Sequence, residues 1–464
     1  MMRSLYSGVS GLQNHQTKMD VIGNNISNVN TTGFKKNRVI FQDMLYQTLS
    51  GAARPREEVG GVDPKQVGLG MTIASTDTVH TQGSLQTTGK AEDVAINGNG
   101  FFVLRKGDQL YYTRDGSFGI DEEGMFVNPA NGMRVQGWQA ETVDGNTTIN
   151  TSAELQDLVI PVGSKDPAAS TSMVELACNL NKNLPEIPPG ATLEDVDAGT
   201  RVVTHNIYDS MGNTHQLRVE FTKVVGETNQ WQAAVTVDPD SETPTNTLVN
   251  IGGVDAEPSN IFTMEFSNDG TLLQVTDAAG DVIDAGNLAV DVSFDVLQAT
   301  PPVEGGPPLR QDFQLNLGEA GSFVDSMTQY ASPTSTKVFA QNGNGMGYLE
   351  SFRIDQSGII TGVFSNGTNR PLGQLALGSF TNPGGLEKIG ENNFAETINS
   401  GIADIGPSGI AGKGKVIAGT LEMSNVDLAE QFTDMIVTQR GFQANSRTIT
   451  TSDQMLQELL NLKR

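Results

Sequence analysis

Residues 5–34 read LYSGVSGLQNHQTKMDVIGNNISNVNTTGF, and this stretch decides how the rest of the chain is organised. Its apolar residues recur at spacings of three and four, with one polar gap at Gln16; they are Leu5, Val9, Leu12, Met19, Ile22, Ile26 and Val29. That spacing predicts a helix with a narrow apolar seam. Gly33 can adopt the left-handed conformation that ends a helix. Because the helix cannot bury such a seam by itself, we expect a partner helix.

The same register returns at the other end of the chain, with Gln439 in the polar gap. Its apolar members are Leu428, Phe432, Met435, Phe442, Ile449, Leu456 and Leu459. Ser424 and Asn425 are suitable N-cap residues for this second helix. Two terminal seams around a long central region predict that the ends of the chain pair. The pair either closes one globular protein as a helical hairpin or drives assembly between chains, and periodicity alone leaves both open.

The composition indicates a β-rich chain that does not bind nucleic acid. Glycine is abundant, with 52 residues in 464, and aromatic residues make up only 6%, which is typical of many short strands joined by turns. The formal net charge of −25 argues against a phosphate-binding surface. Residues 1–56 nevertheless carry seven basic side chains against two acidic ones. This charge asymmetry is either an ordinary solvated surface or a source of subunit polarity in a polymer.

No secretion or membrane signal is visible in the sequence. The first twenty residues lack the continuous apolar core of a cleavable signal peptide, and no apolar run is long enough to span a membrane. We therefore expect no membrane insertion, and a cytosolic location unless export uses no cleaved leader. Cys178 is the only cysteine, so an intrachain disulfide is impossible.

The central region predicts two β domains, one inserted in the other. Turn residues recur between short apolar runs, and Asn97–Gly100 and Asp209–Asn213 are predicted hairpin turns. Strands are expected at 201–208, 216–225, 230–237 and 290–296, and proline-rich joints at 185–189 and 301–308. The predicted order is helix 1–34, connector 35–70, first β domain 71–160, inserted outer β domain 161–323, first β domain resumed 324–390, connector 391–423 and helix 424–464. The fold class is thus mainly β with terminal coiled-coil helices and two barrel or sandwich domains. The glycine- and proline-rich connectors are either points of articulation or simple linkers.

Several of these stretches closely resemble the bacterial flagellar rod and hook family. Residues 23–34, GNNISNVNTTGF, match the N-terminal family motif, in which we single out Asn24, Asn25, Asn28, Gly33 and Phe34. Residues 419–428, GTLEMSNVDL, and 439–446, QRGFQANS, match the C-terminal motif. INGNGFF at 96–102 and TRDGSF at 113–118 match the family's first β domain.

Within the family, the length and the inserted domain resemble those of hook proteins. The resemblance implies a homopolymer whose terminal helices form an inner tube and whose β domains form outer layers. It also implies export through the flagellar type III apparatus without a cleaved leader, and contact with rod, hook-cap and hook–filament junction proteins. Two alternatives remain: a distal rod component of the same family, and an acidic β-rich adhesin with a helical stem. A hook subunit would have disordered termini as a monomer and form tubes, whereas an adhesin would keep an assembled stem.

The single cysteine carries the one chemical hypothesis. Taken alone, Cys178 in MVELACNLN, residues 173–181, is a packed core residue or the source of an adventitious intermolecular disulfide. The sequence also resembles spirochaete-type hook proteins, which are periplasmic and whose subunits are joined by lysinoalanine cross-links. That resemblance implies a cross-link from Cys178 to Lys165 of a neighbouring subunit, with Asn179 orienting the thiol or the amine. Such a chain would act on itself once and would not be an enzyme in the usual sense.

No cofactor or metal site is predicted. The four histidines show no metal-ligand spacing, and no EF-hand, phosphate loop or catalytic triad stands out.

Overall fold

The computed structural model describes residues 2–52, 54–55, 60–143, 146–240, 247–250, 259–277, 282, 287–296, 310–335 and 338–462. Strands dominate its regular structure, and one long helix lies at each end, which confirms the predicted mainly β class. The described chain forms two compact units. Unit 1 comprises the described residues up to Val162, Glu350–Val363 and those from Asn369 onward, and unit 2 comprises Gly163–Leu349 and Phe364–Thr368. Unit 2 is therefore inserted in the sequence of unit 1.

The elements follow in chain order. The helices are α1 (Met2–Ser27), the short α2 (Leu193–Gly199) and α3 (Leu428–Leu462). The strands before the insertion are β1 (Asn37–Asp43), β2 (Tyr46–Ser50), β3 (Lys65–Gly68), β4 (Met71–Thr78), β5 (Leu85–Thr87), β6 (Val94–Asn97), β7 (Phe101–Lys106), β8 (Gln109–Thr113), β9 (Gly119–Ile120), β10 (Phe126–Asn128), β11 (Met133–Val143), β12 (Asn146–Ile149) and β13 (Gln156–Asp157). Those of the insertion are β14 (Lys165–Asp166), β15 (Met173–Leu176), β16 (Asn179–Asn181), β17 (Arg201–Tyr208), β18 (Thr214–Lys223), β19 (Gln230–Val237), β20 (Thr247–Asn250), β21 (Ile261–Phe266), β22 (Leu272–Asp277), β23 (Asn287–Asp295), β24 (Arg310–Glu319), β25 (Thr328–Tyr330) and β26 (Val338–Gln341). The last group is β27 (Gly347–Ile354), β28 (Ile359–Phe364), β29 (Asn369–Ser379), β30 (Glu387–Gly390), β31 (Asn393–Ala395), β32 (Asp404–Pro407), β33 (Lys415–Ala418) and β34 (Thr420–Glu422).

Unit 2 is a β-sandwich. Its two five-stranded sheets run in the orders β20-β23-β24-β15-β26 and β17-β18-β19-β21-β22. Every second residue of β18 and β19 is buried, as expected for strands with one face on a core. Trp231, Phe221 and Phe294 from the two sheets share one apolar cluster. The hairpin predicted at Asp209–Asn213 is confirmed, because β17 pairs with β18 up to Tyr208 opposite Thr214.

The insertion ends later in the chain than position 323. Strands β25 and β26 pair with β16 and β15, so residues 328–330 and 338–341 belong to unit 2. The proline-rich joint predicted at 301–308 lies outside the described residues.

Unit 1 is built on one large sheet in which β28-β29-β11-β7-β8-β31-β30 follow one another. Phe101, Tyr112, Trp138 and Phe394 form a core on this sheet. The hairpin predicted at Asn97–Gly100 is wrong, because β6 pairs with β33 and β7 pairs with β8. Gly98 and Gly100 have φ values of 111° and 127°, and this backbone carries the chain from one pairing to the other.

The predicted connectors contain strands. In 35–70, β1 pairs with β4 and β2 pairs with β3. In 391–423, β31, β32, β33 and β34 pair with β8, β29, β6 and β5, and Phe394 lies in the core. The abundant glycine and proline residues of these segments predicted loops, but their short strands are stabilised by pairing with strands that are distant in sequence. We call unit 1 without the terminal helices α1 and α3 the β unit. The second segment is part of the β unit, which removes the reason to place an articulation there.

Candidate functional site

The terminal helices α1 and α3 pack against each other in antiparallel fashion. A Cβ built on Gly8 would lie 3.0 Å from Ile449 Cγ1, one on Gly11 would lie 2.6 Å from Asn445 Nδ2, and one on Gly441 would lie 2.8 Å from His15 Nε2. Residues of increasing number along α1 thus contact residues of decreasing number along α3. Glycines at these positions let the two helices approach closely.

This contact uses a different face of each helix from the one predicted. The buried residues of α1 among the described side chains are Gly8, Gly11, Ile22 and Asn25, and those of α3 are Gln431, Thr438 and Ser452. Of the predicted seams, only Ile22 is buried, and Ile449 approaches Gly8. Leu5, Leu12, Met19, Ile26, Val29, Met435, Phe442 and Leu456 are half-buried, and Val9, Leu428, Phe432 and Leu459 are exposed. Small and polar residues therefore occupy most of the fully buried positions of the intrachain contact, and most of the apolar seam is only half-buried.

The N-terminal motif, residues 23–34, forms the junction between these helices and the β unit. Asn25 is buried; its amide donates to the Asn37 carbonyl at 2.8 Å and to Gln431 Oε1 at 3.0 Å. Asn28 donates to the Asn24 carbonyl at 2.9 Å and accepts from the Thr31 hydroxyl, which closes the last turn. Gly33 has a φ of 68°, and a Cβ there would lie 2.6 Å from the Asp115 nitrogen. The predicted left-handed conformation of Gly33 is confirmed, but its predicted role in ending the helix is wrong, because α1 already ends at Ser27.

Three buried charged side chains fix both chain ends to the β unit. Glu422 is fully buried and accepts from Lys35 Nζ at 2.6 Å, from Arg114 Nη1 at 3.3 Å and from the Gly83 amide at 2.8 Å. Lys35 Nζ also donates to the Thr81 carbonyl, and Arg114 Nη2 donates to that of Gly98. Burial lowers the pKa of Lys35 and that of Arg114, and the carboxylate of Glu422 opposes both shifts. We refer to Lys35, Arg114 and Glu422 as the ion triad.

His80 lies beside this triad with a strongly perturbed pKa. Its ring packs edge-on against Phe101 at 5.6 Å between centroids and is tilted against Phe394 at 5.5 Å. Burial, and to a smaller extent the cations Lys35, Lys388 and Arg114, lower the His80 pKa to about 4, while the Pro383 carbonyl acts in the opposite sense. Lys388, whose own pKa burial lowers to about 8, donates to the Lys35 carbonyl and lies 5.0 Å from the centre of the Phe34 ring. The ring of His80 is therefore neutral at neutral pH.

The thiol of Cys178 is enclosed in unit 2. The side chain is 4% exposed, and Sγ donates to Met327 Sδ at 3.2 Å. Burial raises the pKa of the Cys178 thiol to about 12. The Cys178 carbonyl accepts from the Thr328 amide at 3.0 Å, so β25 covers the residue. The thiol is accordingly protonated and covered in the single chain.

The other two predicted cross-link residues lie in different surroundings. Lys165 is exposed in β14, and its Nζ lies 6.0 Å from the centre of the Tyr348 ring. Asn179 accepts from the Tyr330 amide at 2.8 Å and donates to the Ser332 carbonyl at 3.2 Å. In the described part of the chain, no hydrogen bond, ion pair or ring contact joins Lys165 to Cys178. Asn179 holds the segment 328–335 in place, and its predicted role toward the thiol or the amine stays a prediction.

Among the described residues, no helix combines the length and the apolar character needed to cross a membrane. No grouping of His, Cys, Asp and Glu side chains in the described ranges is arranged to hold a metal ion.

Four family profiles together match most of the chain. They are the flagella basal body rod protein (residues 5–35), the flagellar hook protein FlgE/F/G D1 domain (95–165), the flagellar basal body protein FlaE D2 domain (179–344) and the flagellar basal body rod FlgEFG protein C-terminal (417–462). The flagellar hook protein FlgE of Treponema pallidum is 57% identical over 100% of both chains. The chain belongs to the flagellar hook protein family. The hook proteins of Borreliella burgdorferi and Escherichia coli are 53% identical over 100% of both chains and 33% identical over 98% of both chains.

The hook-family motifs contain site residues that sequence reasoning missed. Lys35, Arg114 and Glu422 of the ion triad lie in or directly beside three of the matched stretches, yet no pattern singled them out. In GTLEMSNVDL, residues 419–428, Glu422 is one of two charged residues and stands between Leu421 and Met423. A charge flanked by apolar residues was the available signal, and its three partners come from distant parts of the chain.

Proposed function

We propose that this hook-family subunit polymerises into a flexible tube that passes torque from the flagellar rod to the filament. The identity of 57% to a hook protein over the full length of both chains carries this proposal. A structural role in the flagellar hook agrees with the names of the three relatives reported above, each of which is a flagellar hook protein. Rod, hook-cap and junction proteins, the flagellar export apparatus and a periplasmic setting complete the proposal.

The outward faces of the terminal helices support assembly between chains. Phe432, Ile436 and Val437 on α3 are 51%, 57% and 61% exposed, and Tyr6 on α1 is 67% exposed. Burial of one large apolar side chain contributes about 1.5–3 kcal/mol, so several together are enough to hold neighbouring subunits. The polar intrachain contact leaves these residues available for an inner tube. Bending then occurs as the outer β domains of neighbouring subunits slide past one another.

The proposed cross-link is a two-step reaction that releases hydrogen sulfide. A base removes the Cα proton of Cys178 and the Cβ–Sγ bond breaks, which leaves dehydroalanine. Nζ of a neutral Lys165 in the adjacent subunit then bonds to Cβ, the nitrogen loses a proton, and Cα gains one. Polymer contacts supply the proximity that this addition needs. The same burial that raises the pKa of the Cys178 thiol to about 12 would leave a departing hydrosulfide ion unsolvated, which favours a reaction that begins only after assembly opens the site.

Mass spectrometry of polymer isolated by boiling under reducing conditions tests both parts of the proposal. We expect a peptide pair that joins Cys178 to Lys165 and is lighter than the two separate peptides by one hydrogen sulfide. A Lys165→Arg variant keeps the positive charge but lacks the primary amine, so it should give a polymer without the pair. Polymer that dissolves to monomers with intact Cys178 would retain the hook assignment and refute the cross-link.

A further inference from the structure

One surface loop of unit 1 directs its apolar side chains outward and its polar ones inward. In the loop 397–402, Ile398 is 107% exposed and Ile402 is 89% exposed, whereas Ser400 is 1% exposed. Single exposed apolar residues are ordinary, but two fully exposed isoleucines four residues apart around a buried serine reverse the usual arrangement of a loop.

Internal hydrogen bonds hold this loop in that conformation. The Thr397 hydroxyl donates to the Gly385 carbonyl at 2.6 Å and accepts from the Asn399 and Ser400 amides. Ser400 Oγ accepts from the Thr397 amide at 2.9 Å. The isoleucines thus protrude from a fixed base, and little conformational entropy is lost when they dock.

The loop is anchored on a second uncharged segment. Asn382 donates through Nδ2 to the Asn399 carbonyl at 3.1 Å, and a Cβ on Gly385 would lie 2.9 Å from the Ser400 nitrogen. Residues 380–386 and 397–403 contain no charged side chain, although 18% of the chain is charged. Cavities of about 300 Å³ and 490 Å³ border these two uncharged segments. Phe380 and Pro383 line the first together with Arg114, and Asn382 and Asn399 line the second together with Arg38 and Asp77.

We propose that the loop 397–402 is a subunit contact, in which Ile398 and Ile402 pack on the β unit of a second copy of this chain. The choice of a second copy rests on the proposed polymer function and on charge. Copies that each carry a formal charge of −25 repel one another, and they meet with least repulsion where both surfaces are uncharged. Full exposure in the single chain means that this apolar area becomes buried only on assembly.

Polymerisation of the full-length chain with Lys165→Arg, which prevents the proposed cross-link and keeps assembly reversible, tests the contact through its critical concentration. The variant with Ile398→Ser and Ile402→Ser should raise the critical concentration at least tenfold. Ile410→Ser removes an isoleucine that is 61% exposed on another loop of unit 1 and should change it less than twofold. Thermal unfolding of the monomer should be the same for all variants, because these side chains contact water in the single chain.

A fluorescent probe provides an independent readout. Cys178 is buried, so an environment-sensitive thiol dye on Ile398→Cys labels position 398 selectively. Emission from a small labelled fraction should shift to the blue on polymerisation, and dye on Ile410→Cys should not shift. If the wild type polymerises, the double variant has an unchanged critical concentration and the dye does not shift, then the docking contact is overturned and the proposed function stands. A wild-type chain that forms no polymer overturns the proposed function as well.

Discussion

Glu422 is the single carboxylate that balances two buried cations in the ion triad. Its side chain is fully buried, and its bonds reach Lys35 before β1, Arg114 after β8 and the Gly83 amide before β5. Buried charges are tolerated only when they are paired and hydrogen-bonded. Glu422 therefore joins segments near both chain ends to the strands of unit 1.

Replacement of Glu422 by Gln should destabilise unit 1 by about 3–5 kcal/mol, because two buried cations lose their counter-charge. Urea unfolding measures this if Trp231 is replaced by Phe, since Trp138 then reports on unit 1 alone. The matched control is Glu430→Gln, which breaks a 2.6 Å pair with Lys36 in which Glu430 is 54% exposed. That change should cost less than about 1 kcal/mol. Addition of Lys35→Met to Glu422→Gln should recover about 1–3 kcal/mol, and no recovery would contradict the electrostatic explanation.

His80 should make the stability of unit 1 fall as the solution becomes acidic. Its pKa is about 4 in the folded chain, below the ordinary 6.5, so the unfolded chain binds the extra proton between these values. The stability that neutral His80 contributes to unit 1 is complete above pH 6.5 and is lost progressively as the pH falls toward 4. Allowing for partial solvent screening, we expect a loss of about 1–3 kcal/mol over that window.

The variant His80→Phe isolates this effect, because Phe keeps a ring against Phe101 and Phe394 but takes up no proton. Urea unfolding at pH 7 and pH 4.5 should show a smaller difference in stability for the variant than for the wild type. His205→Phe in unit 2 is the control and should leave the Trp138 signal unchanged. Equal pH dependence of wild type and His80→Phe would refute the assignment.

At the scale of elements, the helix pair shows what periodicity predicts and what it misses. The a/d spacing predicted both terminal helices, but the intrachain contact follows Gly8, Gly11 and Asn25, which an apolar pattern ignores. Glycines and amides allow close approach and directional hydrogen bonds, and neither gives an apolar signal. The sequence also predicted β17, β18 and β19 closely, because one face of each lies on the sandwich core. Strands β31 to β34 were missed because their partners lie far away in the sequence.

Helix separation should follow when a large side chain replaces a contact glycine. Gly11→Leu places a side chain where even a Cβ would lie 2.6 Å from Asn445 Nδ2, and overpacking of this kind costs about 1–3 kcal/mol. Gly23→Leu is the matched control, because a Cβ on Gly23 has no atom within 4 Å. In a Lys165→Arg background, which removes the proposed cross-link, thermal dissociation of the polymer should occur at a lower temperature for Gly11→Leu and not for Gly23→Leu. An unchanged dissociation temperature for both would mean that the close contact does not persist in the polymer.

At the scale of the whole molecule, resemblance contributed what residue patterns alone lacked. The family motif fixed the hook assignment, and the nested order of helix and β segments followed from composition and turns. The cross-link hypothesis depended on the resemblance alone. The residue pattern around Cys178 predicted a packed core residue, and the buried thiol agrees with that prediction. Its contact partner Met327 lies 149 residues further along the chain, so no local pattern could identify it.

The net charge makes assembly sensitive to salt. Whether the critical concentration falls or rises with salt decides whether repulsion or attraction between subunits dominates. Subunits that each carry −25 repel one another, although residues 1–56 are basic and offer complementary contacts. The Debye length falls from about 30 Å at 0.01 M to about 8 Å at 0.15 M, so repulsion between exposed charges is largely screened over this range. We expect the critical concentration to fall by about tenfold as sodium chloride rises between these limits. Light scattering and sedimentation measure it, and sucrose at equal osmolality controls for solute exclusion. A critical concentration that rises with salt would show instead that attraction between the basic N-terminal segment and acidic neighbours dominates the lattice.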